Sequence, residues 1–206
     1  MRLVRSLVVL AAVAVVAGCS TSGSGASPSP TADAFQPACP TSQPPPLPAG
    51  ETRTVTIETE KGRIVVRVEG ALSPIAAGNF VALAGCGFYD GVVFHRVVPG
   101  FVIQGGDPSG NGTGGPGYTI QDEPVTSVYR RGTLAMARTR EPNSQGSQFF
   151  IVLDDSAAAN GLADANTYAI FGQVTEGMDV VDAIAAAADA QLPSDPVVMT
   201  KVTVGP

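Results

Sequence analysis

The sequence contains no tryptophan, one histidine (His95) and only three cysteines among its 206 residues. So few His and Cys leave no clustered ligand spacing, and no metal site is expected. Basic side chains are also scarce: 12 Lys and Arg stand against 18 Asp and Glu, for a net charge of −6. They form no stripe along the chain. Affinity for nucleic acid depends on Lys and Arg at phosphates, so no nucleic-acid partner is expected. Aromatic residues make up 6%, whereas glycine (24) and proline (17) are abundant, which favours turns over long helices. No repeat period is visible. No apolar run is long enough to span a bilayer comfortably.

One apolar run is informative all the same. Arg2 and Arg5 precede Leu7 to Ala17, and small residues follow. A basic start, an apolar middle and a small-residue end read as a secretory signal over residues 1–18. Its removal leaves 10 basic residues against 18 acidic ones, a net charge of −8. Val16-Ala17-Gly18-Cys19 resembles a bacterial lipobox. That resemblance implies an acylated Cys19 as the mature N-terminus, in an extracytoplasmic protein held on the bacterial cell membrane by lipid. A free thiol is the alternative. Acyl chains anchor because each buried CH₂ contributes about 0.8 kcal/mol. Residues 19–50 are dominated by Ser, Thr, Gly, Pro and Ala, with Ser27-Pro28-Ser29-Pro30 and Pro44-Pro45-Pro46 standing out. Such a stretch buries too little apolar surface to offset its ordering entropy and reads as a disordered linker.

With Cys19 acylated, Cys39 and Cys86 remain. An even pair in an extracytoplasmic chain is a candidate disulfide, two separate thiols being the other reading. The folded domain spans residues 51–206. Thr54 to Glu58 alternates polar and apolar residues, Lys61-Gly62 is a turn, and Arg63 to Val68 completes a hairpin. Ser73-Pro74 opens a helix, with Ser73 as N-cap, and Gly85 or Gly87 closes it. Ile75, Phe80, Val81, Leu83 and Ala84 can share one side of that helix. Short apolar strands follow at Val92–Val98, Phe101–Gln104, Thr133–Ala137, Phe149–Leu153, Tyr168–Val174 and Val197–Val204. A second helix runs from Met178 to Ala188. Eight strands with two flanking helices point to a mainly β fold, a closed eight-stranded antiparallel barrel that leaves no sheet edge.

The central stretch Phe94-His95-Arg96-Val97-Val98-Pro99-Gly100-Phe101-Val102-Ile103-Gln104-Gly105-Gly106-Asp107 resembles the signature of the cyclophilins. Gly146-Ser147-Gln148-Phe149-Phe150-Ile151 and Phe171-Gly172-Gln173-Val174, followed by Glu176-Gly177-Met178, match in order and spacing. The resemblance covers roughly Thr54–Val204. It implies an eight-stranded barrel with a helix at each end, peptidyl-prolyl cis/trans isomerase activity on proline-containing polypeptides, and chemistry that needs no metal or other cofactor; a monomeric chain is expected. It also implies roles for individual residues. Arg96 matches the catalytic Arg and Gln104 its polar partner. Phe101, Val102 and Phe150 match positions lining the proline pocket. Ala137 and Arg138 match a substrate-backbone contact, Gln148 a polar groove residue and Leu162 a pocket Leu. Departures lie at the pocket rim. No Trp precedes Leu162, Tyr168 stands where a His is frequent, and Val102 where Met is common. Weaker binding of ligands that use that Trp, such as cyclosporin, is the expected consequence.

The chemistry suits these residues. Rotation about an X-Pro bond breaks amide resonance, a barrier of about 18–20 kcal/mol. No bond is made, so no nucleophile is required. A permanently charged Arg with a rigid donor fork can hydrogen-bond the prolyl nitrogen as it pyramidalises. Taken singly, Arg96 would be a strand Arg whose stem packs while its head reaches water. His95 has no Ser or Cys partner and reads as structural or as a groove wall. Gly110-Asn111-Gly112-Thr113-Gly114-Gly115 fits a dinucleotide fingerprint formally, but Pro116-Gly117 cannot open the helix that reading needs. Phe80, Phe149 and Phe171 read as core. A prolyl-peptide binding module without catalysis is the competing reading, and the intact Arg96, Phe101, Gln104 and Phe150 set favours the enzyme.

Overall fold

The computed structural model of the chain describes residues 38–156, 161, 162, 165 and 167–206. The fold begins with a hairpin of β1 (Thr52–Thr59) and β2 (Gly62–Glu69), paired antiparallel with Thr59 opposite Gly62. Glu60 and Lys61 form the turn. The Thr59 hydroxyl donates to the Gly62 carbonyl (2.9 Å) and accepts from the Lys61 N–H (3.1 Å). Gly62 sits at φ 131°, where a side chain would be strained. Val55 and Ile57 on β1 and Ile64, Val66 and Val68 on β2 are buried, while the residues between them are more exposed. This is the period-2 pattern of a sheet with one face on the core.

The remaining strands are β3 (Arg96–Val98), β4 (Val102–Gly105), β5 (Thr133–Met136), β6 (Phe149–Val152), β7 (Ile170–Glu176) and β8 (Met199–Gly205). All pairs are antiparallel, in the order β3-β4-β6-β5-β7-β2-β1-β8. The expected closed barrel is corrected here: β3 and β8 are terminal strands that no ladder joins. In place of a ladder the seam carries one isolated bridge, between Val93 and Val198, and three hydrogen bonds: the Phe94 N–H on the Val197 carbonyl (2.9 Å), the Met199 N–H on the Val92 carbonyl (2.8 Å) and the Gly91 N–H on the Met199 carbonyl (2.8 Å). The expected strand Val92–Val98 is not continuous. Val93 bridges Asp107 and Val198, and only Arg96–Val98 forms a ladder, so the sheet curls into an open half-barrel.

Helix α1 (Pro74–Gly85) packs against β1, β2, β7 and β8, and α2 (Met178–Ala187) against β2 and β4. Phe80 of α1 is fully buried, with Phe149, Phe171 and Tyr89 ring centroids 4.9–5.2 Å away. Ser73 occupies the N-cap position, as expected, but its side chain does not cap. Its hydroxyl is buried without a partner. The Glu123 carboxylate does the capping instead, accepting the N–H groups of Ile75 (2.9 Å) and Ala76 (2.8 Å). A full negative charge at a helix N-terminus outcompetes a hydroxyl, because the exposed N–H groups carry partial positive charge.

The expected linker ends earlier than residue 50. Cys39 and Cys86 are bonded, with their Cα atoms 5.1 Å apart. From there residues 39–50 run as a strap along α1. The Leu47 side chain is buried in the core, and its N–H donates to the Pro74 carbonyl (2.9 Å). Gln43 accepts the Gln121 N–H (3.0 Å). Gly78 of α1 faces the Pro45 carbonyl so closely that no Cβ would fit. Covered by sheet and strap, α1 buries Ala76, Ala77, Gly78 and Asn79 as well as the expected Phe80, Leu83 and Ala84. Ile75 and Val81 are half-buried. The signal and Cys19 lie outside the described residues.

Candidate active site on the outer face of the sheet

Strand alternation places the candidate residues. In β4, Ile103 and Gly105 face the core, so Val102 and Gln104 must face outward. In β6, Phe149 and Ile151 join the core and Phe150 and Val152 point the other way. In β5, Leu134 and Met136 are core and Ala135 is outer. The ladder then aligns distant residues: Arg96 lies opposite Gln104, Gln104 opposite Phe150, and Phe150 opposite Ala135. One row across four strands thus joins two motifs that are some forty residues apart or more in the chain.

The outer face carries its own apolar cluster. Val102, Phe150 and Leu162 are buried in it, with Tyr129, Val152 and Ile170, and Phe101, Ala137 and Tyr168 pack against them half-buried. Phe150 and Tyr168 meet edge to face at 5.4 Å. The structure therefore brings together all six residues expected at the pocket apart from the polar set. Tyr129 was not legible in advance, since it sits in a loop without periodicity. Its hydroxyl donates to the Tyr168 carbonyl (2.9 Å) and accepts the Tyr168 N–H (3.2 Å), which fixes the Tyr168 backbone. Burial pushes the Tyr129 phenol up to about 12, so it stays a donor at any ordinary pH.

The polar set forms a directed chain. Arg96 Nη1 donates to Gln104 Oε1 (3.4 Å), and Gln104 Nε2 donates to Gln148 Oε1 (3.0 Å). Gln148 Nε2 donates to the carbonyls of Gly112 (3.1 Å) and Gly114 (2.9 Å). A cleft of about 810 Å³ opens beside the apolar floor, bounded by Gln104, Gln148, Tyr118 and the Gly-rich loop, with Ala137 shared between cleft and floor. Arg138 also lines it. Its guanidinium is tied to Asp122 (3.0 Å) and to the Glu141 carbonyl (2.9 Å), so its charge is compensated on the protein side.

The Gly-rich loop has no helix after it, and its N–H groups from Gly110 to Thr113 are occupied. Asp107 is buried and accepts from Ser109 (2.7 Å), Asn111 (3.1 Å) and Gly112. A phosphate would have to displace that carboxylate. Burial alone would raise the Asp107 pKa, but these N–H bonds outweigh it and hold the carboxyl below the usual range. His95 is 4% exposed, and neither ring nitrogen has a hydrogen-bond partner. Burial lowers its pKa, outweighing the Asp107 carboxylate, which raises it, while Arg96 adds to the lowering. The imidazole stands behind the loop as packing.

Comparison with known proteins identifies the family. The family model described as cyclophilin type peptidyl-prolyl cis-trans isomerase/CLD matches residues 54–204. The probable peptidyl-prolyl cis-trans isomerase A of Mycobacterium leprae is 39% identical over 175 residues, covering 75% of this chain and 93% of the relative. Peptidyl-prolyl cis-trans isomerase B of Bacillus subtilis is 46% identical over 119 residues, 55% of this chain and 79% of the relative. A crystal structure of a cyclophilin type isomerase from Cryptosporidium parvum superposes with a TM-score of 0.65 at 31% identity, covering 76% of this chain and 99% of that one. With its family model matched from β1 to β8, the chain belongs to the cyclophilin-type peptidyl-prolyl cis-trans isomerases and is an enzyme of that activity.

Proposed function

We propose that this isomerase acts on X-Pro bonds of exported or cell-surface polypeptides and assists their folding from a lipid anchor at Cys19. The observation that carries the catalytic part is the cross-strand row itself. It sets a charged donor, Arg96, and an amide, Gln104, at the border of an apolar floor made by Phe101, Val102, Phe150 and Leu162. The prolyl ring lies on that floor. The substrate backbone runs along Ala137 and Arg138 towards Gln148, with Tyr168 at the rim. Arg96 donates to the prolyl nitrogen as the amide twists and its lone pair localises. The interaction is stronger in the twisted state than in either planar state, which is what acceleration requires. Each 1.36 kcal/mol of that difference gives about tenfold in rate. A related Cryptosporidium parvum structure, 32% identical with a TM-score of 0.64, was determined in the presence of the dipeptide Ala-Pro. That ligand chemistry fits this floor.

Two features support the location. The Cys39–Cys86 bond suits an oxidising compartment. The Val16-Ala17-Gly18-Cys19 stretch resembles a lipobox at the end of a signal. In the native host, Cys19→Ser is expected to move the protein from the membrane fraction to the soluble one, with its rate on an X-Pro peptide unchanged. Intact mass then shows loss of the lipid. A wild-type mature chain that starts elsewhere than Cys19 and carries no lipid would refute the anchor and leave the isomerase reading standing.

A further inference from the structure

We propose that Asp107 is a positioning residue for Arg96, acting through the Gly-rich loop and the paired amides of Gln148 and Gln104. The proposal rests on the reading of Arg96 as the group that acts on the prolyl nitrogen. Gln104 and Gln148 are amphoteric: each amide can turn over and exchange its donor and acceptor ends. Something outside the pair must decide their orientation. At one end stands Arg96, which can only donate. At the other stand the Gly112 and Gly114 carbonyls, which can only accept. Both ends demand the same polarity, so Gln104 Oε1 faces the guanidinium.

The carbonyls present themselves this way because of Asp107. Its carboxylate collects the N–H groups of Ser109, Asn111 and Gly112 and so winds residues 109–112 around one buried anion. Gly114 passes so close to Asp107 Oδ1 that a Cβ there has no room. Gly106, at φ 86°, turns the chain out of β4 into this loop. Asp107 touches neither the apolar floor nor the place of the substrate. Its influence on the reaction runs through the loop carbonyls, then the two amides, and then the donor fork. Charge-assisted bonds to a carboxylate are the stronger kind, and removal of the charge while a buried acceptor remains loosens all of them together.

Exchange NMR on an X-Pro peptide tests this in the full chain. Asp107→Asn is expected to lower kcat by about tenfold and to leave KM within about twofold, since the floor that binds the ring is untouched. In a Gln148→Ala background the same change is expected to cost less than about twofold, because the route is already cut. Gly114→Ala, which displaces an intact Asp107, is expected to act like Asp107→Asn and serves if the latter fails to fold. Asp189→Asn removes a comparable carboxylate from an exposed turn with Ser194 and is expected to change nothing. The Gln148 side-chain amide protons give a readout independent of activity: they shift in Asp107→Asn and stay put in Asp189→Asn. Full activity in a folded Asp107→Asn protein, unmoved Gln148 amide protons, or an equal loss in both backgrounds would overturn the proposal. A wild-type chain without turnover, but with Gln148 protons that respond to Asp107, would instead overturn the role of Arg96.

Discussion

The two halves of the sheet follow different residue patterns and are put to different use. In β1 and β2 each strand has one buried face, and the outward positions carry Thr, Glu and Arg with a single half-buried Val65. Arg67 pairs with Glu69 (2.8 Å) and Arg63 with Glu176 (3.5 Å) at that exposed surface, contacts that contribute little to stability. In β5 and β6 every residue is buried, because a second apolar cluster covers the outward face. Apolar surface on the side away from the core is a cost unless something occupies it. The polar row from Arg96 to Gln148 borders that surface, and the cleft opens next to it. Alternation with charges thus marks a half that only holds the shape. Uninterrupted burial marks the half that holds the shape on one side and carries the candidate site on the other.

Adjacent residues on β6 offer the sharpest way to break this comparison. Phe149→Ala opens a hole among Phe80, Tyr89 and Phe94 and is expected to cost about 3–5 kcal/mol in urea denaturation, with activity per folded molecule nearly unchanged. Phe150→Ala is expected to cost less stability and more than about tenfold in kcat/KM. Equal stability losses with equal activities would mean that β6 has no functional face. The strap comes next. Replacing both Cys39 and Cys86 with Ser frees a connection across 47 residues and is expected to lower stability by about 2–4 kcal/mol. Turnover should stay within about twofold, since the strap lies on α1 rather than on the floor.

Arg96→Ala should do the opposite of the disulfide variant. At least about tenfold in rate is expected to go, equivalent to about 1.4 kcal/mol at the transition state, with stability within about 0.5 kcal/mol of wild type. Wild-type turnover in that folded variant would return Arg96 to the class of ordinary strand arginines. The smallest effect concerns pH. The folded pKa of His95 lies below its unfolded value of about 6.5, so the unfolded chain binds more protons on acidification. Stability is then full above about pH 6.5 and falls below it until the folded imidazole itself titrates. Asp107, held below the usual carboxylate range, stays ionised through that window. His95→Gln is expected to flatten the slope of denaturation midpoints between about pH 5 and pH 7. An unchanged slope would show that His95 does not carry it.

Much of this was legible in the chain. The first hairpin alternates and is found within two residues at each end, because one buried face imposes the period. The ordered motifs around Arg96, Gln148 and Phe171 led to the family. Phe80, Phe149 and Phe171 are core, as composition and position implied. Other features were hidden for identifiable reasons. Ser73 has the usual N-cap chemistry, yet Glu123 from a remote loop displaces it. Residues 39–50 are as proline-rich as any tether. They are nevertheless held by one disulfide, one buried Leu47 and two glycines, Gly78 on α1 and Gly70 after β2, that admit a backbone at close range. Asp107 carries no sequence signal beyond its place at the end of a motif.

The sequence by itself led to the family, to the candidate site residues and to the two faces of the first hairpin, since a pleated strand sends neighbours to opposite sides. Only the tertiary structure decided that Arg96, Gln104, Phe150 and Ala135 stand side by side, because strand register is set by pairing between distant segments. It also decided that the sheet stays open between β3 and β8 and that a buried carboxylate organises the Gly-rich loop. These are long-range matters of packing and charge, and no local pattern of residues records them.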